Sequence, residues 1–350
     1  MFNNGLVLGK FMPAHKGHLH LIRFASQLCR HVTVVVDCIE GEAPSASKRA
    51  EYLRAECQGL SVTVVALSEP TPQEPSAHPE FWSVWRHLLT DACGGTPDAL
   101  VCSMEYGLPL AEALGGNCRF IPLDIARTGV EISATMIRED PWGHWDMILP
   151  HARADYLTRI AIEGPESTGK STIARQCAGS HEFTYCQEWA TEYVTQQARA
   201  GLELQEPDML TIALAQTAME HSLDLTANRA LICDSSLVTT IVWSEFLYGR
   251  VDPRIVKLFE KEEANRPKMR YLMTPETPWV ADLHRTVAQT ASAHETRRHF
   301  FDSFVAHYRD YGLPYSVVPG GFKEKTSYLD SVISGLKTNF PVGLSRGFIP

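Results

Sequence analysis

Residues 164–171 constrain the fold of this chain more than any other stretch. Their letters, GPESTGKS, match G-x-x-x-x-G-K-S, the pattern of a phosphate-binding P-loop between a strand and a helix. The flanks agree, because residues 159–162 form a short apolar run and residues 171–178 are typical of a helix start. In such a loop, backbone N–H groups surround the phosphates, the lysine reaches the β- and γ-phosphates and the next hydroxyl binds Mg²⁺. The predicted ATP-binding residues of this loop are Gly164, Glu166, Ser167, Thr168, Gly169, Lys170, Ser171 and Thr172.

The position of the loop predicts a second domain ahead of it. A P-loop usually opens its domain, yet this one lies near the middle of a 350-residue chain. That length favours two domains of roughly 150 residues each, and a hydrophobic content of 44% supplies apolar side chains for two cores. We predict domains at residues 1–150 and 156–338, followed by a loose tail at 339–350 that carries proline and glycine.

Composition and charge exclude several classes of protein. A formal net charge of −9 argues against general binding to nucleic acids or anionic membranes. Nine cysteines without a C-x-x-C pair predict reduced thiols and a cytoplasmic protein. We expect neither a signal peptide nor a transmembrane helix, because no charged-then-apolar leader and no long apolar run is present. A homo-oligomer is compatible with the sequence, which does not give the oligomeric state.

The first half alternates strand-like and helix-like segments. Apolar, β-branched runs at 5–9, 32–38, 61–67, 99–103 and 119–123 predict strands, and 18–29, 45–58, 80–93 and 108–114 predict helices. This order indicates an α/β fold with a parallel sheet covered on both faces, a doubly wound arrangement. The run of strands and helices after the P-loop predicts a second domain of the same class. Ligands then belong at the carboxyl ends of the strands.

Two histidines follow the first strand, in the stretch GKFMPAHKGH at residues 9–18. His15 and His18 lie three residues apart at the mouth of a helix, whose N–H groups and dipole favour a phosphate. Gly17 would let that phosphate approach the backbone, and the imidazoles could donate hydrogen bonds to charge developing at phosphorus. A zinc site is the weaker reading, because H-x-x-H supplies only two ligands. Incidental histidines remain an alternative for this motif alone.

A second helix entry lies at residues 132–138, with the letters ISATMIR. Ser133 and Thr135 can cap the helix and contact a phosphate, and Arg138 can neutralise a triphosphate. The alternative is a plain helix cap with a surface arginine.

Together these two motifs resemble the paired signature of the nucleotidyltransferase superfamily of small adenylyltransferases. Ala134 departs from the serine or glycine common in that superfamily. The resemblance implies that His15, His18 and Arg138 stabilise the triphosphate during attack on the α-phosphorus. It also implies a set of further contacts, to ATP or to the acceptor. These are the ATP contacts Gly9, Lys10, Phe11, Gly17, Ser133, Thr135 and Glu105, the phosphate contacts Arg49 and Arg127, and the pair Trp82 and Trp85 near the acceptor's pyridine ring. Two tryptophans at helical spacing could equally be core residues.

The chain after the P-loop offers three more candidate groups. Glu188 ends a short strand, where a carboxylate can accept a proton from a phosphate acceptor, with Trp189 and Glu192 beside it. Acids favoured by a helix dipole are the alternative. Asp234 ends the apolar run 230–233 and can hold Mg²⁺ together with Ser171. Arg285 would suit a lid that closes over the γ-phosphate.

The order of parts resembles the bifunctional nicotinamide-mononucleotide adenylyltransferase/ribosylnicotinamide kinase family over residues 5–338. The resemblance implies that the second domain phosphorylates nicotinamide riboside with Mg-ATP, and that the first adenylylates the resulting nicotinamide mononucleotide (NMN) to NAD, releasing pyrophosphate. Residues 234–236, Asp-Ser-Ser, depart from the family's acid-Thr-acid, and Thr191 replaces a frequent arginine. We expect none of the helix-turn-helix that precedes the first strand in regulatory members.

Two alternatives stay open from the sequence. The first is the same enzyme class with another acceptor, such as pantetheine phosphate or FMN in the first domain and a nucleoside in the second. The second is a protein that senses NAD or ATP, with an inactive kinase half.

Overall fold

The computed structural model describes residues 1–262, 267–278 and 293–338. The chain divides into two compact units, Met1–Tyr156 and the part from Leu157 onward. Each unit contains a parallel five-stranded sheet with helices, which confirms the predicted fold class. Arg285 and the predicted tail at 339–350 lie outside the described residues.

The first unit has the strand order β3-β2-β1-β4-β5, with every pair parallel. Its strands are β1 (Phe2–Gly9), β2 (Cys29–Val36), β3 (Val62–Ala66), β4 (Ala99–Cys102) and β5 (Arg119–Pro122). Its helices are α1 (Lys16–Leu28), α2 (Ala46–Glu56), α3 (Phe81–Cys93), α4 (Gly107–Leu114), α5 (Ala134–Glu139) and α6 (Pro150–Arg153).

The central strand β1 explains where a ligand fits in this unit. Leu6 pairs with Thr33 of β2 on one side and with Leu100 of β4 on the other. The chain winds outward from β1 in both directions, so the loops after β1 and β4 separate and leave a crevice at the carboxyl ends of the strands. The core beneath it includes Trp85 and Leu89 of α3.

The second unit has the strand order β10-β9-β6-β8-β7, and its pairs are also parallel. The described strands are β6 (Thr158–Glu163), β7 (Thr184–Cys186), β8 (Ala230–Cys233), β9 (Met269–Met273) and β10 (Ser316–Val318). The described helices are α7 (Lys170–His181), α8 (Trp189–Arg199), α9 (Glu206–Ser222), α10 (Leu237–Tyr248), α11 (Pro253–Lys261), α12 (Ala293–Asp310) and α13 (Phe322–Thr338). The P-loop follows the central strand β6, at the corresponding crevice.

Residues 148–156, at the boundary of the two predicted domains, include the short helix α6, which begins at Pro150, a residue that fits the first turn of a helix. In the second unit, α9 ends at Ser222. None of the helices in the described part of the chain is long and apolar enough to cross a membrane.

Candidate active sites

The crevice of the first unit holds a cavity of about 390 Å³. It brings together both predicted motifs, although more than a hundred residues separate them along the chain. The predicted site residues in its lining are Gly9, Lys10, Phe11, His15, Gly17, His18, Arg127, Ser133, Thr135 and Arg138.

The two histidine rings form a stacked pair at the start of α1. Their centroids are 3.6 Å apart with an interplanar angle of 25°, and the ring of Phe11 meets His18 edge-on at 4.8 Å. The backbone N–H of His15 donates to Nδ1 of His18 at 3.3 Å. A neutral His18 therefore carries its proton on Nε2, where it can be donated to a ligand. Nδ1 of His15 is buried and has no hydrogen-bond partner within the described residues.

Burial keeps both imidazoles neutral at pH 7. Burial first and the positive charge of Arg127 second lower the pKa of His15 from 6.5 to about 4. Burial is the largest cause that places the pKa of His18 well below 6.5, and the charges of His15 and Arg127 lower this pKa in the same direction. Neutral rings can lie face to face without charge repulsion, and each offers one N–H donor. The pair therefore suits hydrogen bonding to phosphate oxygens rather than salt-bridge formation.

Arg138 connects the two motifs. Its Nη1 donates to the carbonyl of Met12 at 2.8 Å, in the loop before His15, and its Nη2 donates to Oγ1 of Thr135 at 3.0 Å. Ser133 caps α5 through its Oγ, which accepts from the backbone N–H of Met136 at 3.1 Å. Arginine, histidines and a helix N-terminus thus face one cavity, and this combination favours a polyphosphate.

Gly17 is required for the histidine pair to fit. A Cβ atom on Gly17 would lie 3.0 Å from Cε1 and 3.1 Å from Nδ1 of His15. We expect Gly17→Ala to displace this imidazole and to slow adenylyl transfer about tenfold or more, although alanine favours the helix. Gly179→Ala is the matched control, because a Cβ there meets nothing within 4 Å. Steady-state rates and melting temperatures of both variants test this, and an unimpaired Gly17→Ala enzyme would contradict it.

A second cavity of about 380 Å³ shares Gly9 and Lys10 with the first and extends toward α3. Trp82 and Trp85 both line it. Trp85 is 6% exposed and its Nε1 donates to the carbonyl of Pro72 at 3.1 Å, so its indole is mostly core. Trp82 is less buried and remains the better candidate for stacking on a ligand ring.

This cavity also has polar groups that the motifs did not indicate. Asp37, at the end of β2, lines it together with Gln73. The carboxylate accepts hydrogen bonds from the hydroxyl of Thr71 and from Nε2 of Gln73, the latter at 3.1 Å. An acid after a valine-rich strand is the signal by which the sequence could have revealed it.

Two predicted contacts lie outside the cavity linings of this unit. Arg49 is 1% exposed, and its guanidinium donates to the carbonyls of Lys10, Pro44 and Asp37. These bonds hold the loops after β1 and β2 together, so Arg49 acts on the site through the backbone. The geometry does not support the predicted contact between Arg49 and a phosphate. Glu105 is exposed and does not line the cavity, whereas its neighbours Met104 and Tyr106 do.

In the second unit, the P-loop has the backbone that its motif requires. Gly164 has φ +136°, and a Cβ there would lie 2.7 Å from the carbonyl oxygen of Met273, so only glycine fits. Lys170 begins α7, and its Nζ donates to the carbonyl of Pro165 at 3.0 Å. The ammonium group is therefore held within the loop, close to where the phosphates of a nucleotide bind in such loops.

Asp234 lies beside the loop and fits a Mg²⁺ ligand. The hydroxyl of Tyr185 donates to its Oδ2 at 3.1 Å, whereas Oδ1 is buried with no hydrogen-bond partner among the described residues. Burial first and Glu188 second raise the pKa of Asp234 to about 7, against the lowering effects of Lys170 and Ser171. A buried, incompletely paired carboxylate next to the P-loop hydroxyl suits a cation that takes its other ligands from phosphates and water.

A third cavity, of about 100 Å³, is lined by Ser235, which follows Asp234 in the chain. Glu166 and Glu188 line it together with several hydroxyls and the ring of Trp243. The hydroxyls belong to Thr191, Ser235, Thr239 and Thr240. Oε2 of Glu188 accepts from Oγ1 of Thr191 at 2.9 Å, so the residue that replaces the family's arginine positions the predicted base. We refer to this space as the acceptor cavity.

Trp189 and Glu192 do not line the acceptor cavity. Trp189 stacks on Tyr193 at 5.0 Å and packs against the core, while its backbone N–H donates to Gln216. Glu192 is exposed on the first turn of α8. Their predicted substrate contacts are therefore not supported by the geometry, because the helix turns these side chains away from the cavity.

Two buried cations beside the P-loop escaped sequence reasoning. Nη2 of Arg297 donates to the carbonyls of Thr277, at 2.9 Å, and Ser167, at 3.4 Å. Lys325 is fully buried, its Nζ donates to Oγ1 of Thr277 at 2.8 Å, and burial lowers its pKa to about 8. Both lie on helices whose sequences look like ordinary charged surfaces, so no local signal marks them.

Comparisons with known proteins identify relatives of this chain. Residues 159–325 match the family described as AAA domain. The trifunctional NAD biosynthesis/regulator protein NadR of Salmonella typhimurium is 28% identical over 306 residues, which cover 82% of this chain and 73% of the relative. NadR of Escherichia coli is 27% identical over 309 residues, which cover 83% of this chain and 73% of that relative.

Solved structures of NadR proteins share the fold over nearly the whole chain. One, in complex with NAD and AMP-PNP, has a TM-score of 0.75 at 22% identity and covers 95% of this chain and 96% of its own. Another, in complex with NR, has a TM-score of 0.76 at 21% identity, and the match covers 97% of this chain and 96% of the solved chain. The homologues of this chain are therefore NadR proteins, and the family resemblance indicated by its motifs is confirmed.

Proposed function

We propose that this chain makes NAD from nicotinamide riboside in two ATP-dependent steps, phosphoryl transfer in the second unit and adenylyl transfer in the first. The observation that carries the proposal is that each unit has its own group of side chains suited to bind phosphate. One contains His15, His18 and Arg138, and the other contains the P-loop and Asp234. The names of the relatives, which refer to NAD biosynthesis, support the same pathway.

In the kinase step, the 5′-oxygen of the riboside attacks the γ-phosphorus of ATP. A bond forms between that oxygen and phosphorus, the bond to the β–γ bridging oxygen breaks, and ADP leaves with the electron pair. Glu188, at the wall of the acceptor cavity, is placed to accept the hydroxyl proton, and Lys170 offsets charge on the phosphates. Mg²⁺ held by Ser171 and Asp234 would neutralise the β- and γ-phosphates.

In the adenylyl step, a phosphate oxygen of NMN attacks the α-phosphorus of a second ATP. The α–β bridging bond breaks and pyrophosphate leaves. A phosphate is ionised at neutral pH, so no protein base is needed. The work left to the protein is to align the two anions and to stabilise charge on the five-coordinate phosphorus. His15 and His18 do this as neutral N–H donors, and Arg138 does so as a fixed cation.

The second cavity of the first unit is the proposed site of the NMN ring. It continues from the cavity of about 390 Å³, the proposed site of the triphosphate, through Gly9 and Lys10. A molecule in it therefore has its phosphate near the α-phosphorus. The indole of Trp82 gives this cavity an aromatic wall, and Asp37 and Gln73 give it polar groups for an amide.

The test is a product analysis with the intact chain. We expect Mg-ATP and nicotinamide riboside to yield NMN and ADP first, then NAD and pyrophosphate, and NMN alone to yield NAD. Pantetheine phosphate, FMN and a panel of nucleosides serve as competing acceptors. Preference for one of those would replace the proposed substrate, and ATP binding without any product would favour a sensor of nucleotides.

A further inference from the structure

Glu163 is a buried acid that the proposed mechanism does not use. It is the last residue of β6, directly before Gly164 and the P-loop, and its side chain is fully buried. A carboxylate is costly to bury unless hydrogen-bond donors surround it. Its position and its partners therefore need an explanation.

Three hydroxyls donate to this carboxylate. Oε1 accepts from Oγ of Ser236 at 2.7 Å and from Oγ1 of Thr239 at 3.0 Å. Oε2 accepts from the hydroxyl of Tyr308 at 2.6 Å. Burial and the carboxylate of Glu163 place the pKa of Tyr308 well above 10, so this phenol keeps its proton. All three partners are themselves buried.

Two of these partners form the start of α10. Oγ of Ser236 caps this helix by accepting from the backbone N–H of Val238 at 3.2 Å, and Oγ1 of Thr239 accepts from the N–H of Ser236 at 3.5 Å. Thr239 also lines the acceptor cavity, next to Thr240. Glu163 therefore joins the strand that leads into the P-loop to the wall of hydroxyls that faces the phosphate acceptor.

The third partner lies on a helix that also contacts the P-loop. Tyr308 belongs to α12, which also carries Arg297, whose guanidinium donates to the P-loop carbonyl of Ser167. One carboxylate thus accepts hydrogen bonds from the start of α10 and from α12.

We propose that Glu163 is a positioning residue of the kinase half, whose carboxylate fixes the first turn of α10, and so the hydroxyl wall of the acceptor cavity, relative to the P-loop. The hydrogen bond between Ser236 and Glu163 joins residues that lie 73 positions apart in the chain, so only the fold brings the carboxylate to the start of α10. The proposal rests on the proposed kinase function.

Removing the carboxylate should affect the acceptor more than the nucleotide. A glutamine amide has one acceptor oxygen where the carboxylate has two, and its NH₂ group must face at least one hydroxyl. Because Ser236 and Thr239 each already accept a backbone N–H, Glu163→Gln would leave one hydroxyl without an acceptor. We expect Glu163→Gln and Glu163→Ala to raise KM for nicotinamide riboside about tenfold, with KM for ATP changed less than about twofold. Adenylyl transfer by the other unit is the internal activity reference, and KM for ATP in the mutated unit reports that this unit remains folded. Glu262→Gln, which changes a buried acid paired with His221, is the matched control.

Moving the carboxylate from residue 163 to residue 236 gives a test by rescue of kinase activity. Ser236→Asp alone places two carboxylates together and should lower kinase activity. Glu163→Ala combined with Ser236→Asp should recover kcat/KM to within about threefold of the wild type. A double variant no better than either single variant would overturn the proposal, as would equal effects on the KM values of riboside and ATP.

A readout without catalysis separates this proposal from the proposed function. We expect Glu163→Ala to accelerate hydrogen–deuterium exchange in peptides covering the first turn of α10 and the segment around Tyr308, with none of this change in the first unit. Unchanged exchange at α10 would overturn the positioning role. A wild-type chain that phosphorylates no riboside would contradict the proposed function alone.

Discussion

Replacing His18 by alanine is expected to lower kcat/KM for adenylyl transfer about 100- to 1,000-fold, the usual cost of losing one donor to a transition-state anion. The imidazole of His18 lines the cavity of about 390 Å³ in the first unit. Its Nδ1 already accepts a hydrogen bond from the backbone N–H of His15, which leaves Nε2–H for the ligand. Alanine offers no donor, so stabilisation of the five-coordinate phosphorus is lost. Pyrophosphate release from ATP and NMN measures the effect.

Phosphoryl transfer in the same chain is the internal control for this variant, because its site lies in the other unit. His87→Ala is the matched histidine control, since that side chain is 78% exposed on α3. Asparagine at position 18 keeps an N–H donor and should retain more activity than alanine. Intact adenylyl transfer in His18→Ala would show that the imidazole does not contact the reacting phosphates.

The lowered pKa values of both histidines predict how this reaction depends on pH. The free protein holds His15 with a pKa of about 4 and His18 well below 6.5. kcat/KM reports the ionisation of the free enzyme. Between about pH 6 and 8, neither histidine should therefore cause a fall in kcat/KM as the pH rises. A loss of activity with an apparent pKa near 6.5 would mean that a protonated imidazole is needed.

The fold was predictable because its signals are local and repeated. Apolar runs separated by helix-length segments imply parallel strands, and glycine, lysine and histidine patterns mark the loops that follow the two central strands. Asp234 was predictable for a related reason: an acid directly after a buried strand must lie at the carboxyl edge of the sheet, beside the P-loop.

The direction in which a side chain points was not predictable. Arg49 was expected to bind phosphate, yet its guanidinium is satisfied by backbone carbonyls of loops distant in sequence. Trp189 and Glu192 follow the predicted base but rotate away from the cavity with the turn of α8. Glu163 gave no signal, because only the fold brings Ser236 and Tyr308 to its carboxylate.

Asp234→Asn is expected to stabilise the protein without nucleotide while it abolishes most kinase activity. The fold raises the pKa of this acid from 3.8 to about 7, chiefly by burial. Above pH 7 the folded state holds Asp234 as a buried charge. Between pH 7 and pH 3.8 the carboxyl group is protonated in the folded state but still ionised in the unfolded chain. Stability from this group therefore rises as the pH falls and is lost as the pH rises through 7.

Asparagine has the same shape without the charge, so its benefit should be greatest above neutral pH and should vanish near pH 4. We expect a gain of about 2 kcal/mol in the free energy of unfolding at about pH 8. Kinase kcat/KM should fall at least about 100-fold, because the carboxylate that would hold Mg²⁺ is gone. Denaturation of both proteins at several pH values measures the first effect, and NMN formation measures the second.

Mg-ATP should reverse the order of stability. A ligand that binds only the folded state stabilises it in proportion to its affinity, so the wild type gains more from Mg-ATP than Asp234→Asn does. Asp302→Asn, on an exposed part of α12, is the matched control and should change neither quantity. A variant that is less stable than the wild type without nucleotide, yet fully active with Mg-ATP, would show that Asp234 is structural. A bound cation would offset the cost of keeping an incompletely paired carboxylate buried beside the P-loop.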